Sequence, residues 1–203
     1  MIFNKSLRLF VLTILTAILA VFVQAQNRGK PSPEFSPPPM APNPAITEWN
    51  IFKSEKGRFS VLLPTKPTEE KSSKDGSNPH FFHSFMGQFL FNLSYVDWPS
   101  TNVDPQMIFD KLLSQTKAEK DLKLVEGKVI DVSGYPGREL ELETDLGFMQ
   151  MRVIVAGNRI YQIDVTSLNK KSETKEARAF LDSFKITDAP GEKKAQPRNS
   201  KPN

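Results

Sequence analysis

The sequence predicts an α+β domain in which an antiparallel β-sheet is flanked by two main helices. Three observations carry that reading. The stretch Gly134–Val165 breaks into three apolar-rich runs separated by short turn sequences, the pattern of successive antiparallel strands. Phe89, Phe91, Leu93 and Tyr95 alternate with smaller or polar residues, a period of two that only a strand satisfies. Ile108, Phe109, Leu112 and Leu113, and later Ala177, Phe180, Leu181 and Phe184, form stripes at helical spacing that must be buried against something.

Taken in order, residues 1–25 have the form of a secretory signal peptide. Lys5 and Arg8 precede an uncharged apolar run from Leu9 to Val23, and Val23-Gln24-Ala25 offers a cleavage site before Gln26. The apolar run falls short of the ~20 residues that span a bilayer as a helix; an uncleaved N-terminal membrane anchor is the alternative. Residues 26–47 form a Pro-rich linker, with Pro31, Pro33, Pro37, Pro38, Pro39, Pro42 and Pro44 in close succession. Such composition favours extended conformations at ~3.1 Å per residue and builds no core.

The domain, residues 48–187, opens with a short strand at Trp49–Phe52 and a turn through Gly57. Phe59, Val61 and Leu63 then share one face of a strand that Pro64 ends. This run and Phe81–Val96 are expected to pair with the central block. Glu69–Asn78 is polar, with Asp75-Gly76 as a turn signal, and reads as a loop. Asp104-Pro105 starts the first helix, at about 105–120, as N-cap and N1. A strand from Lys123 to Val132 follows. Gly134-Tyr135-Pro136-Gly137 reads as a turn, and Gly147 and Gly157-Asn158 as hairpin turns. Ser172 is the expected N-cap of the second helix, with Glu173 at its positive end. Residues 188–203 form a basic tail without apolar periodicity, expected to be disordered.

Composition narrows the function. The leader, linker and tail carry +2, +1 and +2 of the formal +4, so residues 48–187 carry −1. A near-neutral body lacks the basic face that phosphate contacts need, and no nucleic-acid partner is expected. The absence of cysteine excludes thiolate chemistry, cysteine metal sites and a lipoprotein anchor. His80 and His83 fall on opposite faces of a strand, so no metal site is expected. Glu139, Glu141 and Glu143 alternate with leucines and read as the solvated face of a half-buried sheet, with Arg138 and Arg152 available as cross-strand partners. Asn92-Leu93-Ser94 has the form of a glycosylation sequon but lies inside a strand. No phosphate loop or nucleophile elbow is present. No catalytic residue and no cofactor are expected. Tyr95, Asp97, Trp98, Tyr135 and Arg138 are the candidate interaction surface, being polar aromatics and charges at a sheet end or turn.

The order of these elements resembles the PsbP-like superfamily as it occurs in small exported bacterial proteins. A tryptophan strand leads to GRFSVLLP, then to an aromatic strand ending in Tyr95-Val96-Asp97. A helix, GYPGREL, RIYQI and a last helix ending in FLDSF complete the match over roughly residues 49–186. The resemblance implies an antiparallel sheet flanked by helices. Relatives include an extrinsic photosystem II subunit and a factor that binds the Ran GTPase, both of which act by docking. Their partner-binding residues find no match here, and a photosynthetic role is not implied. The chain is therefore expected to be an exported, non-catalytic accessory or protein-interaction domain, with an unknown protein as partner. The alternative is a small-ligand binder or hydrolase using a cleft between sheet and helix. Membrane contact is expected only if the leader stays in place.

Overall fold

In the computed structural model, residues 44–71, 79–99, 103–145, 147–168 and 174–187 are described. The leader, most of the linker, Asp75-Gly76, Ser172-Glu173 and the tail lie outside them.

The strands are β1 (Asn50–Ser54), β2 (Phe59–Leu63), β3 (Thr68–Lys71), β4 (His80–Met86), β5 (Phe89–Asp97), β6 (Leu122–Val132), β7 (Tyr135–Thr144), β8 (Gly147–Ala156), β9 (Arg159–Ser167) and β10 (Lys185–Ile186). Helix α1 spans Pro105–Ala118 and α2 spans Lys175–Ser183. Seven strands form one sheet in the order β3-β4-β5-β9-β8-β7-β6, antiparallel throughout. The three strands expected over Gly134–Val165 lie side by side at its heart.

Both faces of the central strands of this sheet are covered. Phe91, Leu93, Tyr95, Tyr161, Ile163 and Val165 meet α2 and the smaller strands on one face; Leu90, Val96, Leu140, Leu142, Met151 and Ile160 meet α1 on the other. The alternation in β5 therefore sends successive side chains into two cores rather than one core and solvent, which is why eight of its nine residues are buried. Phe180 on α2 contacts Phe91 edge to face, with ring centroids 5.2 Å apart. On α1, Ile108, Phe109 and Leu112 are buried as their stripe requires.

Four expectations are corrected here. Phe59–Leu63 does not join the main sheet; β2 pairs with β1 on one side and β10 on the other. Its apolar face stacks on the larger sheet instead, so burial was legible but the pairing partner was not. Thr68–Lys71, taken partly as loop, pairs with β4 as an edge strand. The turn before β7 is Ser133-Gly134, both at positive φ (56° and 81°), as a two-residue hairpin requires. Tyr135, Pro136 and Gly137 already belong to β7, opposite Val132, Asp131 and Ile130. Finally, the N-cap of α2 is Thr174, whose hydroxyl accepts from the Ala177 N–H at 3.1 Å. Asp104 caps α1 as expected, accepting from Gln106 N–H at 3.0 Å.

Gly147 is the first residue of β8, opposite Thr144. Its φ of +143° and a Cβ that would sit 2.0 Å from the Ser167 carbonyl oxygen leave room for no other residue. The Gly157-Asn158 turn between β8 and β9 is as expected, with Gly157 at φ +65°.

Candidate functional site

The five residues proposed from sequence do not share one surface. Tyr95 is buried, 2% exposed, in the core beneath α2, and Trp98 is buried in the core on the α1 side. Neither ring is open to a partner. The alternation that marked β5 as a strand did not reveal that both faces are covered. Tyr135 is partly buried at the margin of the α2-side core. Arg138 lies on the opposite face, its guanidinium 5.4 Å from the Phe109 ring centroid, with Nε buried and unpartnered.

Asp97 is the exposed member, and Arg159 engages its carboxylate. Arg159, its register partner on β9, donates from Nε and Nη2 to the two carboxylate oxygens at 2.6 Å each. That bidentate geometry is the strong form of the pair. The Arg159 hydrogen bonds hold the Asp97 carboxyl below its ordinary pKa, against the effect of burial. Arg159 also donates to the Lys56 carbonyl at 2.9 Å and stacks over Tyr95 at 4.5 Å. Tyr161 Oη donates to the Gly57 carbonyl at 2.8 Å. Together they tie the β1–β2 turn to the end of the main sheet. Sequence reasoning assigned Arg159 no role; its position opposite Asp97 follows only from the β5–β9 pairing.

The histidines are likewise separate. His80 stacks on Tyr95 at 4.6 Å and meets the Glu69 carboxylate at 3.3 Å. On the other face, His83 Nδ1 donates to Asn92 Oδ1 at 2.8 Å, and Asn92 Nδ2 donates to Asp164 Oδ1 at 2.8 Å. Gln162 donates to the second Asp164 oxygen at 3.3 Å. Burial pushes the Asp164 carboxyl up to about 6, only partly offset by these bonds and by His83. The sequon residue Asn92 is thus a buried link in a polar chain. Among the described residues, no group of three or more His, Cys, Asp or Glu side chains comes together to hold a metal ion.

Among the described residues, the densest charged site lies where α2 meets β6, β7 and β8, and it overturns one expectation. Glu139 does not face solvent; it is 6% exposed and sits among three cations. Arg178 Nη1 and Lys128 Nζ approach Oε1 at 2.8 and 2.9 Å, and Arg152 Nε donates to Oε2. Burial alone would raise the pKa of Glu139, but the bonds from Arg178, Lys128 and Arg152 prevail and hold it at about 2. Arg152 continues to the Leu181 carbonyl and the Asp182 carboxylate, both at 2.6 Å, satisfying acceptors in the last turn of α2. Arg178 bonds Asp182 within the helix at 2.6 Å, and these carboxylates raise its pKa. The sequence offered Arg152 and Arg138 as cross-strand partners for this row of glutamates. Arg152 does pair with Glu139, Arg138 lies on the same strand and the opposite face, and Lys128 and Arg178 were not foreseen.

Beside this network lies a cavity of about 70 Å³, bordered by Glu126, Glu141 and Gln150. It is far smaller than the ~300–1,000 Å³ of small-molecule sites. A second hollow of about 470 Å³ lies at the end of the sheet, between the start of β6 and the β7–β8 turn, and is lined largely by charged side chains.

No family model and no curated protein sequence matches the chain. Solved structures do resemble it. The PsbP protein of the cyanobacterium Synechocystis aligns over 76% of this chain and 99% of its own, at a TM-score of 0.51 and 11% identity. LpqN of Mycobacterium tuberculosis, described as involved in cell envelope biogenesis, aligns over 80% and 94% at a TM-score of 0.39 and 13% identity. A protein of unknown function from Pseudomonas aeruginosa aligns over 60% and 83% at 0.36 and 10%. At 11% identity the likeness to PsbP is one of fold. An antiparallel seven-stranded sheet with helices packed against it, aligned with nearly the whole of cyanobacterial PsbP, gives this chain a PsbP-like α+β fold.

Proposed function

We propose that the chain is an exported, non-catalytic accessory domain that works by docking to another protein. The observation that supports this most directly is β6. It is the last strand of the seven-stranded sheet, and it is eleven residues long. Among the described residues nothing pairs with its outer side, and Val125 and Val129 on it are exposed, the latter by 72%. A long edge with open backbone groups and exposed aliphatics is a template for an added strand. The leader and Pro-rich linker support export and reach: they would carry the domain across the membrane and hold it away from a surface.

The hydrolase or ligand-binder reading called for a cleft converging on Asp97, Tyr135 and Arg138. Arg138 lies under Phe109 on the α1 side, Tyr135 at the α2-side core, and Asp97 is engaged by Arg159. The polar clusters described above are spent on holding layers together, which favours docking over chemistry.

A crosslinking pull-down from the native host, with the exported domain as bait, tests the reading. Enrichment of a specific protein partner is expected. Intact-mass measurement of the bait is expected to place its first residue at Gln26. A bait that enriches no protein but co-purifies with a small molecule that raises its melting temperature would replace the docking reading.

A further inference from the structure

We propose that the sheet face beside α2 receives one basic side chain, a guanidinium or ammonium group, from an extended partner segment lying along β6. The inference rests on the docking reading above and gives it a place and a chemistry. Three residues in register carry it. Glu126 of β6 stands opposite Glu141 of β7, which stands opposite Gln150 of β8. Opposed residues of antiparallel strands share a face, so two carboxylates and an amide form a row of acceptors across three strands.

The nearby cations are already engaged. Lys128, Arg152 and Arg178 all bond Glu139, two residues from Glu141 along β7 and on the same face. Glu126 and Glu141 are thereby left as like charges facing each other. Gln150 supplies the independent observation: it is 5% exposed, and its Oε1 is buried without a hydrogen-bond donor. A buried acceptor left unsatisfied is costly, and native structures rarely keep one without reason.

The cavity over this row, about 70 Å³, has Glu126, Glu139 and Glu141 against Lys128 and Arg178 in its lining, so it is one positive charge short. A divalent metal fits poorly with two cationic side chains in the same wall. The head of an arginine or lysine fits the size, supplies the missing charge and brings donors for both carboxylates, with its outermost N–H directed towards the Gln150 oxygen, three strand spacings from the partner backbone.

The edge delivers such a group. The β6–β7 register shifts between Leu124 and Glu126, which leaves Glu126–Val132 as a regular edge. A residue of an added strand placed opposite Glu126 would project onto the acceptor face, with strands ~4.8 Å apart. Three positions along, a partner residue would meet Val129 on the other face. The partner motif is therefore a basic residue and an aliphatic residue three apart.

The test uses the chain as it occurs after export, isotopically labelled, and a blocked eight-residue peptide. In the peptide valine and threonine alternate, with one central threonine replaced by arginine; a second peptide carries glutamate there. The arginine peptide is expected to bind at least tenfold more tightly. Resonance shifts are expected at the amides of Glu126–Val132 and at the Gln150 side-chain amide. Glu126→Gln and Glu141→Gln are each expected to reduce the arginine preference at least threefold with melting unimpaired.

Equal affinity for the two peptides, unchanged preference in both variants, or shifts confined to other elements would overturn the proposal. So would concentration-dependent shifts at β6 without peptide, which would assign the edge to a second copy of this chain. The docking reading fails separately. Partners crosslinked away from β6, without arginine preference, would remove this site and leave docking intact. Arginine preference with no partner in the pull-down would do the reverse.

Discussion

Glu139 and Arg152 face each other at a paired position of β7 and β8, and Arg152 reaches on from there to the Leu181 carbonyl of α2. One cross-strand ion pair thus fastens a helix to the sheet. Removing the carboxylate leaves a buried guanidinium short of its main counter-charge, a loss of the kind that costs about 3 kcal/mol. Glu139→Gln is expected to lower the unfolding free energy by roughly that amount in urea titrations at pH 7. An effect under about 0.5 kcal/mol would mean that Asp182 alone suffices for Arg152.

Glu139 also sets an acid limit. Its folded pKa, about 2, lies below the ordinary 4.5. A depressed carboxyl contributes stability that is complete above the unfolded pKa and is lost as pH falls from there through the folded one. The wild-type chain is expected to lose at most about 3 kcal/mol from this group between pH 5 and pH 2. Denaturant midpoints across that range should fall more steeply for wild type than for Glu139→Gln.

Asp164 works in the opposite sense. Its carboxyl is pushed from 3.8 up to about 6, so the fold favours the protonated form. That contribution is full below the unfolded pKa and is lost as pH rises through the folded one. Melting temperature is expected to rise as pH is lowered from 7 towards 4, and Asp164→Asn is expected to flatten this rise. Parallel pH profiles for the two proteins would assign the dependence to another group.

Glu126 and Glu141 are like charges directly opposed across β6 and β7. Neutralising either one, as Glu126→Gln or Glu141→Gln, is expected to stabilise the isolated chain by ~0.2–1 kcal/mol. Differential scanning calorimetry at low salt reads the gain, which high salt should shrink. A loss of stability would mean that one of the two carboxylates already has a cation.

Phe180 of α2 is fully buried against Phe91 of β5. Phe180→Ala is expected to cost about 3–5 kcal/mol, the cost of truncating a buried aromatic in a close-packed core. An unchanged melting temperature would detach α2 from the sheet and invalidate the layer order.

The sequence by itself determined the elements and much of the local register. Period-two runs, the stripes at Ile108/Leu112 and Phe180/Leu181 and the Asp104 cap are local patterns, and local sterics and hydrogen bonding enforce them. The short turn at Gly147 put Arg152 on the strand next to the glutamate row, because a hairpin pairs neighbouring strands; the exact opposition to Glu139 came with the register. Only the tertiary structure decided which face each element covers. Glu139 reads as solvated until Arg178, 39 residues later, folds over it. Tyr95 and Trp98 read as a candidate interaction surface until one core closes over the Tyr95 ring and the other over Trp98, just past the end of β5. The β2 run reads as a member of the main sheet until β10, more than 120 residues on, pairs with it instead. Periodicity records that a face is apolar or polar; it does not record what the chain later brings against it, since that contact is made by residues with no neighbour in sequence.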